Sequence, residues 1–464
     1  ILSDLNEYMK GFMRRLRLEE KCTKHLDVPL GVFDGARLLV READPTRAPL
    51  GLKFLAGLQS AWRLMSRYGV RNLLRLKGLM THPASPRFPR LYRMLEEGKA
   101  FETPESLLDA LGPRCAALTG CRALEWLTDP PPSGGGLPRS VVDELVTGGM
   151  HSNYGGQGCE MLHAFVALVS IAGGFASRCF AAHGGWQQVP RGLLELARPQ
   201  QLYLGATARA VRRVDAGGRE AWEVDVAHGA PGEAMKGERP PAPPEGTLRT
   251  EGPFDIVILA HPLERSCVQL EGLLAASAPE DDHAPRGRFR RCVTHFLRGV
   301  LRREYFYPDS GPGAHAGWPP PAVLTAAGST APFYSIGLQT PVDVRSKREA
   351  TEILDGALTG KPSVFKVFAP EVLTDAQLDE IFEQRGSAKV NDWFAYPEYT
   401  VPQPLRPFVL DPGGGSRGPL LYLNAVEQAA SAMEMSAVSA RNAANLVVGF
   451  VDRRRGGGAE GGDL

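Results

Sequence analysis

The sequence contains no hydrophobic run of the roughly 18 residues that a membrane-spanning helix requires. It also lacks an excess of charge of either sign, since 53 basic residues are balanced by 52 acidic residues. So small a net charge gives no electrostatic reason to expect nucleic acid or an anionic membrane as a partner. What is left is a chain of 464 residues, long enough to bury a large core and to form more than one domain.

Cysteine and metal-binding patterns are missing as well. None of the seven cysteines forms a Cys-x-x-Cys pair or a cluster with histidine at metal-ligand spacing, so no metal site is predicted. Their odd number and scatter do not resemble a disulfide framework, although a bridge between Cys115 and Cys121 stays open. The sequence has no Walker-type loop and no Ser/His/Asp arrangement, and His183 is the one histidine that we would test.

Helical periodicity dominates up to about residue 200, and strand-like alternation follows it. Apolar positions recur every three to four residues over 5–16 and 52–80, whereas a Gly/Asp turn between apolar runs predicts a hairpin over 31–40. From residue 201 the alternation predicts a meander of antiparallel strands. The continuous apolar run 255–260 is typical of a strand buried on both faces of an open α/β sheet. These patterns together predict the α/β fold class.

Two segments have the composition of disordered chain. Residues 231–253 are rich in Pro, Gly, Glu and Lys, and we predict a mobile insertion there. The three arginines at 453–455 begin a Gly-rich end, which predicts a disordered tail over 453–464.

The segment 52–80 carries an apolar stripe that has two interpretations. Leu55, Leu58, Trp62, Met65 and Tyr68 are predicted to share one side of a helix, with Arg or Lys opposite them. Such a stripe could face a membrane surface or a lipid. The ordinary interpretation, an amphipathic helix packed on a core, is favoured by composition.

The most informative stretch is 420–445, where a short apolar strand passes directly into a long helix of small residues. A helix start lined by Ala and Ser has no bulky side chain to keep a ligand from its free amides. Those amides and the positive end of the helix dipole form a site for an anion or a carbonyl oxygen. The alternative is an Ala-rich helix that simply packs closely on a sheet.

Six segments resemble, in the same order, segments of the prenylcysteine oxidase family, also called prenylcysteine lyase. They are 150–155, 255–263, 335–337, 364–368 together with 373–377, 393–399, and 421–442. They are spread from the first third of the chain to its end, so the resemblance does not depend on one motif.

The resemblance implies a two-domain, flavin amine-oxidase-like architecture with a Rossmann-type FAD-binding domain and a mixed helical and antiparallel-sheet substrate domain. It places substrate-domain portions at 1–175 and 288–407, and FAD-domain portions at 176–275 and 420–452. Proteins of this kind open with a strand, a Gly-x-Gly-x-x-Gly turn and a helix. The sequence shows no such βαβ unit, so we expect a chain truncated at its N-terminus that binds FAD weakly or not at all.

The resemblance also implies which residues contact FAD. Asn424 and Ala425 occupy the strand-to-helix turn, where the family usually has Asn-Gly, and the alanine methyl disfavours a positive φ. Ala432 and Met433 would offer backbone amides to the flavin, and Glu427 would lie near the pyrophosphate. The cofactor-binding candidates are Ala208, Ala260, Pro262, Asn424, Ala425, Glu427, Ala432 and Met433.

Aromatic residues within the resembling segments are candidates for the substrate pocket. Tyr154 and Tyr396 are the predicted pocket residues, and Tyr399 is a further aromatic candidate. A tyrosine in the hydrophobic core is the alternative for each of them. No acid, base or nucleophile stands out, which is consistent with chemistry that a flavin carries.

The activity that the resemblance implies is FAD-dependent oxidation of the thioether of farnesyl- or geranylgeranyl-cysteine. Hydride leaves the prenyl carbon next to sulfur, water adds to the cation, and the hemithioacetal collapses to free cysteine and a prenyl aldehyde. Dioxygen reoxidises the flavin and yields hydrogen peroxide. The family's place in catabolism of prenylated proteins implies a lysosomal or secretory location, although we find no targeting segment in the sequence.

Two other functions stay open at this point. Another flavin-dependent amine oxidase would share the cofactor domain but act on an amine. A lipid-binding or interaction protein that has lost catalysis is the second alternative, suggested by Ala425 and by the absent opening unit.

Overall fold

The computed structural model describes residues 2–3, 5–21, 28–42, 53–79, 85–175, 179–228, 248–271, 288–308, 317–414 and 417–456. Helices and strands of both parallel and antiparallel sheets occur in these ranges, which confirms the predicted α/β class. The helices are α1 (Glu7–Arg15), α2 (Lys53–Tyr68), α3 (Val70–Gly78), α4 (Phe88–Glu96), α5 (Pro104–Leu111), α6 (Ala123–Thr128), α7 (Arg139–Val141), α8 (Thr147–Asn153), α9 (Ala164–Phe175), α10 (Gln188–Ala197), α11 (Arg303–Phe306), α12 (Lys347–Leu358), α13 (Asp375–Ile381) and α14 (Met433–Gly456). The strands are β1 (Leu2–Ser3), β2 (Leu30–Phe33), β3 (Leu38–Arg41), β4 (Cys179–Phe180), β5 (Ala206–Asp215), β6 (Glu220–His228), β7 (Leu248–Phe254), β8 (Val257–Leu259), β9 (Gln269–Leu270), β10 (Phe289–Leu301), β11 (Ala322–Thr325), β12 (Ser335–Leu338), β13 (Ser363–Ala369), β14 (Phe382–Glu383), β15 (Lys389–Pro397), β16 (Val409–Asp411) and β17 (Leu420–Tyr422).

The largest sheet has eight strands in the order β14-β10-β13-β12-β11-β2-β3, with β15 also paired to β10. Alternate residues of β13 point to opposite faces, because side chains alternate along a strand. Phe365 and Val367 are buried in a core with Phe33 and Phe382. Helix α8 approaches the other face, where the Ser335 hydroxyl donates to the Ser152 hydroxyl at 3.3 Å. One face of this sheet therefore packs in a hydrophobic core, and the other face contacts α8.

Two smaller sheets lie along the second half of the chain. β8 and β16 flank β17 in a three-stranded sheet, in which β8 and β17 run parallel. The predicted meander is confirmed for β5 and β6, which pair antiparallel and continue into the four-stranded sheet β7-β6-β5-β9, but residues 201–204 form no strand. Trp222 of β6 is fully buried and donates from Nε1 to the Gly418 carbonyl at 2.9 Å. That hydrogen bond joins the four-stranded sheet to the chain entering β17.

Local sequence signals explain several element boundaries. The predicted hairpin over 31–40 forms from β2 and β3, and the Asp34 carboxylate accepts from the amides of Ala36 and Arg37 at 2.8 Å each. A side-chain acceptor two or three residues before an amide closes such a turn. Gly35 adopts a φ of 103° in it, a conformation that suits glycine.

The structure corrects some predicted boundaries and exposures. Residues 248–253 belong to strand β7, so this end of the predicted insertion is part of a sheet, while 231–247 lies outside the described residues. Helix α14 continues to Gly456, so the predicted tail is helical over 453–456, and 457–464 lies outside the described residues. Ile258 of β8 is 45% exposed, so the prediction of burial on both faces is wrong among the residues described. Within the same part of the chain, no helix combines the length and apolarity needed to cross a bilayer.

Candidate active site

The ends of two parallel strands, β8 and β17, bring several predicted cofactor residues together. Leu259 lies opposite Tyr422 in this sheet, so Ala260 and Asn424 both follow the same end. The loop after β8 returns to β17, because the Leu263 amide donates to the buried Tyr422 hydroxyl at 3.4 Å. Carboxyl ends of parallel strands are where open α/β sheets usually bind ligands. This end of the sheet is therefore the candidate site.

Helix α14 begins close to these strand ends, and its start is open. Met433 is 42% exposed and Ala432 is also exposed. No described residue accepts a hydrogen bond from either amide, whereas the Ala432 carbonyl already accepts from Ser436 at 3.0 Å. First-turn amides without acceptors and the dipole of a long helix together attract an anion or a carbonyl oxygen. An accessible helix start is thus present, but the strand does not pass directly into the helix as predicted, because a 3-10 turn over Leu423–Val426 and residues 427–432 lie between β17 and α14.

Glu434 connects the first turn of α14 to α1 and to Tyr92 through hydrogen bonds. Its carboxylate accepts from the amides of Tyr8 and Met9 at 2.8 and 3.0 Å and from the Tyr92 hydroxyl at 2.8 Å. Burial is the largest influence on this carboxyl group and raises its pKa. The carboxylate of Glu434 is therefore occupied by these partners and does not accept from the amides of Ala432 and Met433.

Glu427 lies between β17 and α14 as a partly buried acid. Its carboxylate accepts from Asn424 Nδ2 at 2.9 Å and from the Ser431 hydroxyl at 3.2 Å. Burial raises the pKa of Glu427, and the nearby Glu264 acts in the same direction. Both effects favour the neutral acid, which repels a phosphate less than a carboxylate does.

Ala425 does not obstruct the turn in the way that its methyl suggested. It lies in a 3-10 turn over Leu423–Val426 without a positive φ, and its side chain is fully buried. The expected strain is therefore absent, and any contact of Ala425 with a ligand would come from its backbone.

Pro262 lies in the loop that contacts β17, whereas Ala208 lies in the four-stranded sheet. Pro262 is in the loop after β8 that contacts Tyr422, next to Leu263. Ala208 pairs with Val226 within the four-stranded sheet, and its carbonyl accepts from the Cys267 thiol at 3.6 Å. Among the described residues no hydrogen bond joins Ala208 to the start of α14, and Ala208 lies in a different sheet from β8 and β17.

A cluster of three tyrosines connects the start of α14 to the eight-stranded sheet. The ring of Tyr154 makes edge-to-face contacts with Tyr396 at 5.9 Å and with Tyr399 at 5.5 Å between centroids. The Tyr399 hydroxyl accepts from the Ser431 amide at 2.9 Å. Tyr154 and Tyr399 are buried, and only Tyr396 is partly exposed. The two predicted pocket residues are thus neighbours, but Tyr154 lies in the core.

Gln157 holds this tyrosine cluster together. Its Nε2 donates to the carbonyls of Tyr154 and Pro397 at 3.1 and 2.9 Å, and its Oε1 accepts from the Tyr399 amide at 2.9 Å. The side chain is fully buried and has both ends satisfied. A buried amide with three partners fixes the positions of the rings that it joins.

His163 is a residue of this site that the sequence did not single out. Its ring meets Tyr399 edge-to-face at 5.3 Å, its Nδ1 accepts from the Val166 amide at 3.2 Å, and its Nε2 lies 3.4 Å from the Gln428 carbonyl. Burial lowers the pKa of His163 to about 4, so the imidazole is neutral at pH 7. The predicted test residue His183 instead bonds through its backbone to Glu19 and Gln188.

Lys366 is a second residue that sequence analysis missed. Its Nζ lies 4.3 Å from the centre of the Phe368 ring on β13, and burial lowers its pKa. It faces the side of the sheet that is opposite the core, since its strand neighbours Phe365 and Val367 point into that core. The sequence feature that could have identified Lys366 is a lysine near aromatic residues within an otherwise apolar strand.

The structure also describes Cys115 and Cys121, possible metal ligands and one cavity outside the candidate site. Cys115 and Cys121 are both free, so the bridge that the sequence left open does not form. No group of three potential metal ligands occurs in the described part of the chain. A cavity of about 540 Å³ is bordered by Arg302, Tyr305 and α13, on residues distinct from every predicted site position.

Comparison with known proteins matches the chain to one family over most of its length. A family described as prenylcysteine lyase matches residues 57–454. The chain is 28% identical to prenylcysteine oxidase 1 of Homo sapiens over 449 residues, which are 96% of this chain and 77% of that protein. It is 25% identical to farnesylcysteine lyase of Arabidopsis thaliana over 451 residues, which are 97% and 76% of the two chains.

A third relative, the prenylcysteine oxidase 1-like protein of Bos taurus, is 26% identical over 447 residues, covering 95% of this chain and 78% of that protein. The family match includes the tyrosine cluster, β8, β17 and nearly all of α14. The resemblance carried by the six short segments is therefore confirmed, and the chain belongs to the prenylcysteine lyase family.

Proposed function

We propose that the protein is an FAD-dependent oxidase that cleaves the thioether of farnesyl- or geranylgeranyl-cysteine during the degradation of prenylated proteins. Its products are free cysteine, a prenyl aldehyde and hydrogen peroxide, and its co-substrates are dioxygen and water. The observation that carries this proposal is the open start of α14 beside the ends of β8 and β17, joined through Tyr399 to the eight-stranded sheet.

FAD fits the residues at this start. The exposed amides of Ala432 and Met433 have no acceptor among the described residues, and the small side chain of Ala432 permits close approach. When bound, FAD would supply a two-electron acceptor for hydride. The amides and the helix dipole would stabilise negative charge on that acceptor. We assign β8, β16, β17 and α14 to a Rossmann-type FAD domain and the eight-stranded sheet to a substrate domain.

Glu427 and Asn424 complete the polar side of this proposed site. Burial raises the pKa of Glu427, which lowers the cost of placing this acid near a pyrophosphate group. Asn424 holds that carboxyl group at 2.9 Å. We propose that these two residues lie near the pyrophosphate and that Ala260 and Pro262 pass beside the cofactor.

The substrate side is formed by the tyrosine cluster. Partly exposed Tyr396 stands in front of the buried pair Tyr154 and Tyr399, so it is the member that would contact a prenyl chain. Burial raises the pKa of Tyr396 to about 12, so its hydroxyl stays protonated at neutral pH. An apolar wall that excludes bulk water suits a prenyl cation that must react with a single water.

The cofactor assignment is tested by Met433→Pro in protein expressed from the complete open reading frame, with Met433→Leu as the matched control. Proline is tolerated at the first position of a helix but has no amide to donate. Loss of one hydrogen bond to the neutral carbonyl of oxidised flavin costs about 0.5–1.5 kcal/mol, so FAD affinity should fall by about 2- to 10-fold in the proline variant. The leucine variant keeps the amide and should bind FAD as the wild type does. Equal FAD titration curves for all three proteins would rule out this assignment.

The reaction is separated from its alternatives by product analysis. Protein expressed from the complete open reading frame is incubated with farnesylcysteine or with a panel of amines, and cysteine, aldehyde and hydrogen peroxide are measured. Turnover of amines alone would establish an amine oxidase. A protein that binds farnesylcysteine but contains no flavin would be the lapsed lipid-binding protein.

We also propose a lysosomal or secretory-route location, which rests on the family's role in catabolism of prenylated proteins. Fractionation of cells that express the complete open reading frame tests it. Recovery of the protein with cytosolic markers would contradict it.

A further inference from the structure

Helices α2 and α3 present an apolar stripe to solvent. Leu58, Trp62 and Met65 lie at positions i, i+4 and i+7 of α2 and therefore share one side of that helix. Trp62 is 65% exposed and Leu58 is 58% exposed. In α3, Leu74 is 63% exposed and Val70, four residues earlier, is also exposed. Exposed large apolar residues grouped on one side of a helix indicate an interaction surface in a folded protein.

The opposite sides of both helices are attached to the protein, so the stripe is not a consequence of loose packing. Tyr68, which the sequence assigned to the stripe, is buried instead and donates from its hydroxyl to Glu144 at 2.7 Å. Arg67 makes two hydrogen bonds to the same carboxylate. Arg75 of α3 donates to the Gly136 carbonyl at 2.9 Å. The side chain of Leu55, the remaining predicted member, lies outside the described residues.

The charged residues of the segment that contains both helices have one sign. Residues 45–95 contain ten Lys and Arg and no Asp or Glu, although the whole chain is nearly neutral. Arg71 and Lys77 of α3 are exposed, and neither has an acidic partner among the described residues. A chain that is nearly neutral as a whole therefore contains a local cationic segment.

We propose that α2 and α3 dock flat on the surface of an anionic phospholipid bilayer. Apolar side chains along one side of a helix, with cationic residues beside them, characterise helices that lie in the membrane interface. Tryptophan favours that interface, and clustered Lys and Arg are attracted to anionic headgroups. Neither helix is long and apolar enough to span the bilayer. Two copies of these helices packed face to face would bring like charges together, because 45–95 contains no Asp or Glu, whereas an anionic bilayer complements them.

Co-sedimentation with vesicles tests this proposal without any measurement of enzyme activity. Vesicles are made of phosphatidylcholine alone or with about one third phosphatidylserine, because anionic lipid supplies the electrostatic attraction. We expect binding to the anionic vesicles that weakens as salt is added. Replacement of Leu58, Trp62 and Leu74 together by Gln should weaken it at least tenfold, and Arg71→Gln with Lys77→Gln should reduce its salt dependence.

The matched control is Leu204→Gln, because Leu204 is 83% exposed outside these helices. This variant should bind vesicles as the wild type does. All substituted side chains are exposed, so the thermal unfolding midpoint of each variant should stay close to that of the wild type, which excludes misfolding as a cause. Absence of wild-type binding, or equal binding by the triple variant, would overturn the proposal. Loss of a concentration-dependent dimer in the triple variant, without any vesicle binding by the wild type, would also overturn it.

Discussion

The buried His163 makes the stability of the fold depend on pH. In the folded protein its pKa is lowered to about 4 by burial, whereas an unfolded histidine has a pKa of about 6.5. Below pH 6.5 the unfolded chain takes up a proton that the folded protein does not, so stability falls as pH falls from 6.5 towards 4. Above pH 6.5 both states are neutral at this position and the stabilising difference is fully present.

The size of this effect follows from the difference between the two pKa values. It amounts to about 3 kcal/mol in total, of which about 2 kcal/mol is lost between pH 7 and pH 5. His163→Gln removes the titrating group while it keeps a donor and an acceptor for the Gln428 carbonyl and the Val166 amide. The free energy of unfolding of this variant should therefore depend less on pH by about 2 kcal/mol over the same interval, whatever its stability at pH 7.

The assay is urea unfolding followed by circular dichroism at pH 7, 6 and 5. His183→Gln is the control, since His183 is only partly buried and contacts its neighbours through its backbone. This control should lose stability with acid as the wild type does. Parallel pH profiles for the wild type and His163→Gln would refute the account of a neutral histidine behind Tyr399.

Two further predictions concern buried groups elsewhere. Asn442→Ala should lower the free energy of unfolding by about 3 kcal/mol. The side-chain amide of Asn442 pairs with both the backbone amide and the carbonyl of Phe101 at 2.8 Å, and the variant leaves both groups unpaired in the core. Urea unfolding measures this loss, and a loss below about 0.5 kcal/mol would contradict the prediction. Burial raises the pKa of Cys159 to about 12, so iodoacetamide should label this thiol only after unfolding, as mass spectrometry of native and denatured samples can show; labelling of the native protein at the rate of a free thiol would be evidence against that burial.

Local signals in the sequence predicted much of the fold. The hairpin of β2 and β3 and the meander of β5 and β6 were predicted because Gly and Asp residues mark their turns. Each of these depends on residues within a few positions of one another.

The sequence alone does not show which surfaces of a helix or strand are covered by distant parts of the chain. Periodicity identified a stripe on α2 but not its orientation, which is set by Glu144, some 76 residues from Tyr68. Likewise, the apolar run of β8 indicated a buried strand, although Ile258 is exposed. His163 escaped notice because its importance comes from Tyr399 and Gln428, which are distant in sequence. Non-local packing decided all three outcomes.

The most direct test of the proposed function is a balance of products from one substrate. Flavin-loaded protein from the complete open reading frame is given farnesylcysteine and dioxygen, and cysteine, farnesyl aldehyde and hydrogen peroxide are quantified together. The account predicts equal amounts of the three products, with none from an amine of similar apolar chain. Flavin-loaded protein that leaves farnesylcysteine intact, or that forms peroxide without releasing cysteine, would contradict the proposed oxidation.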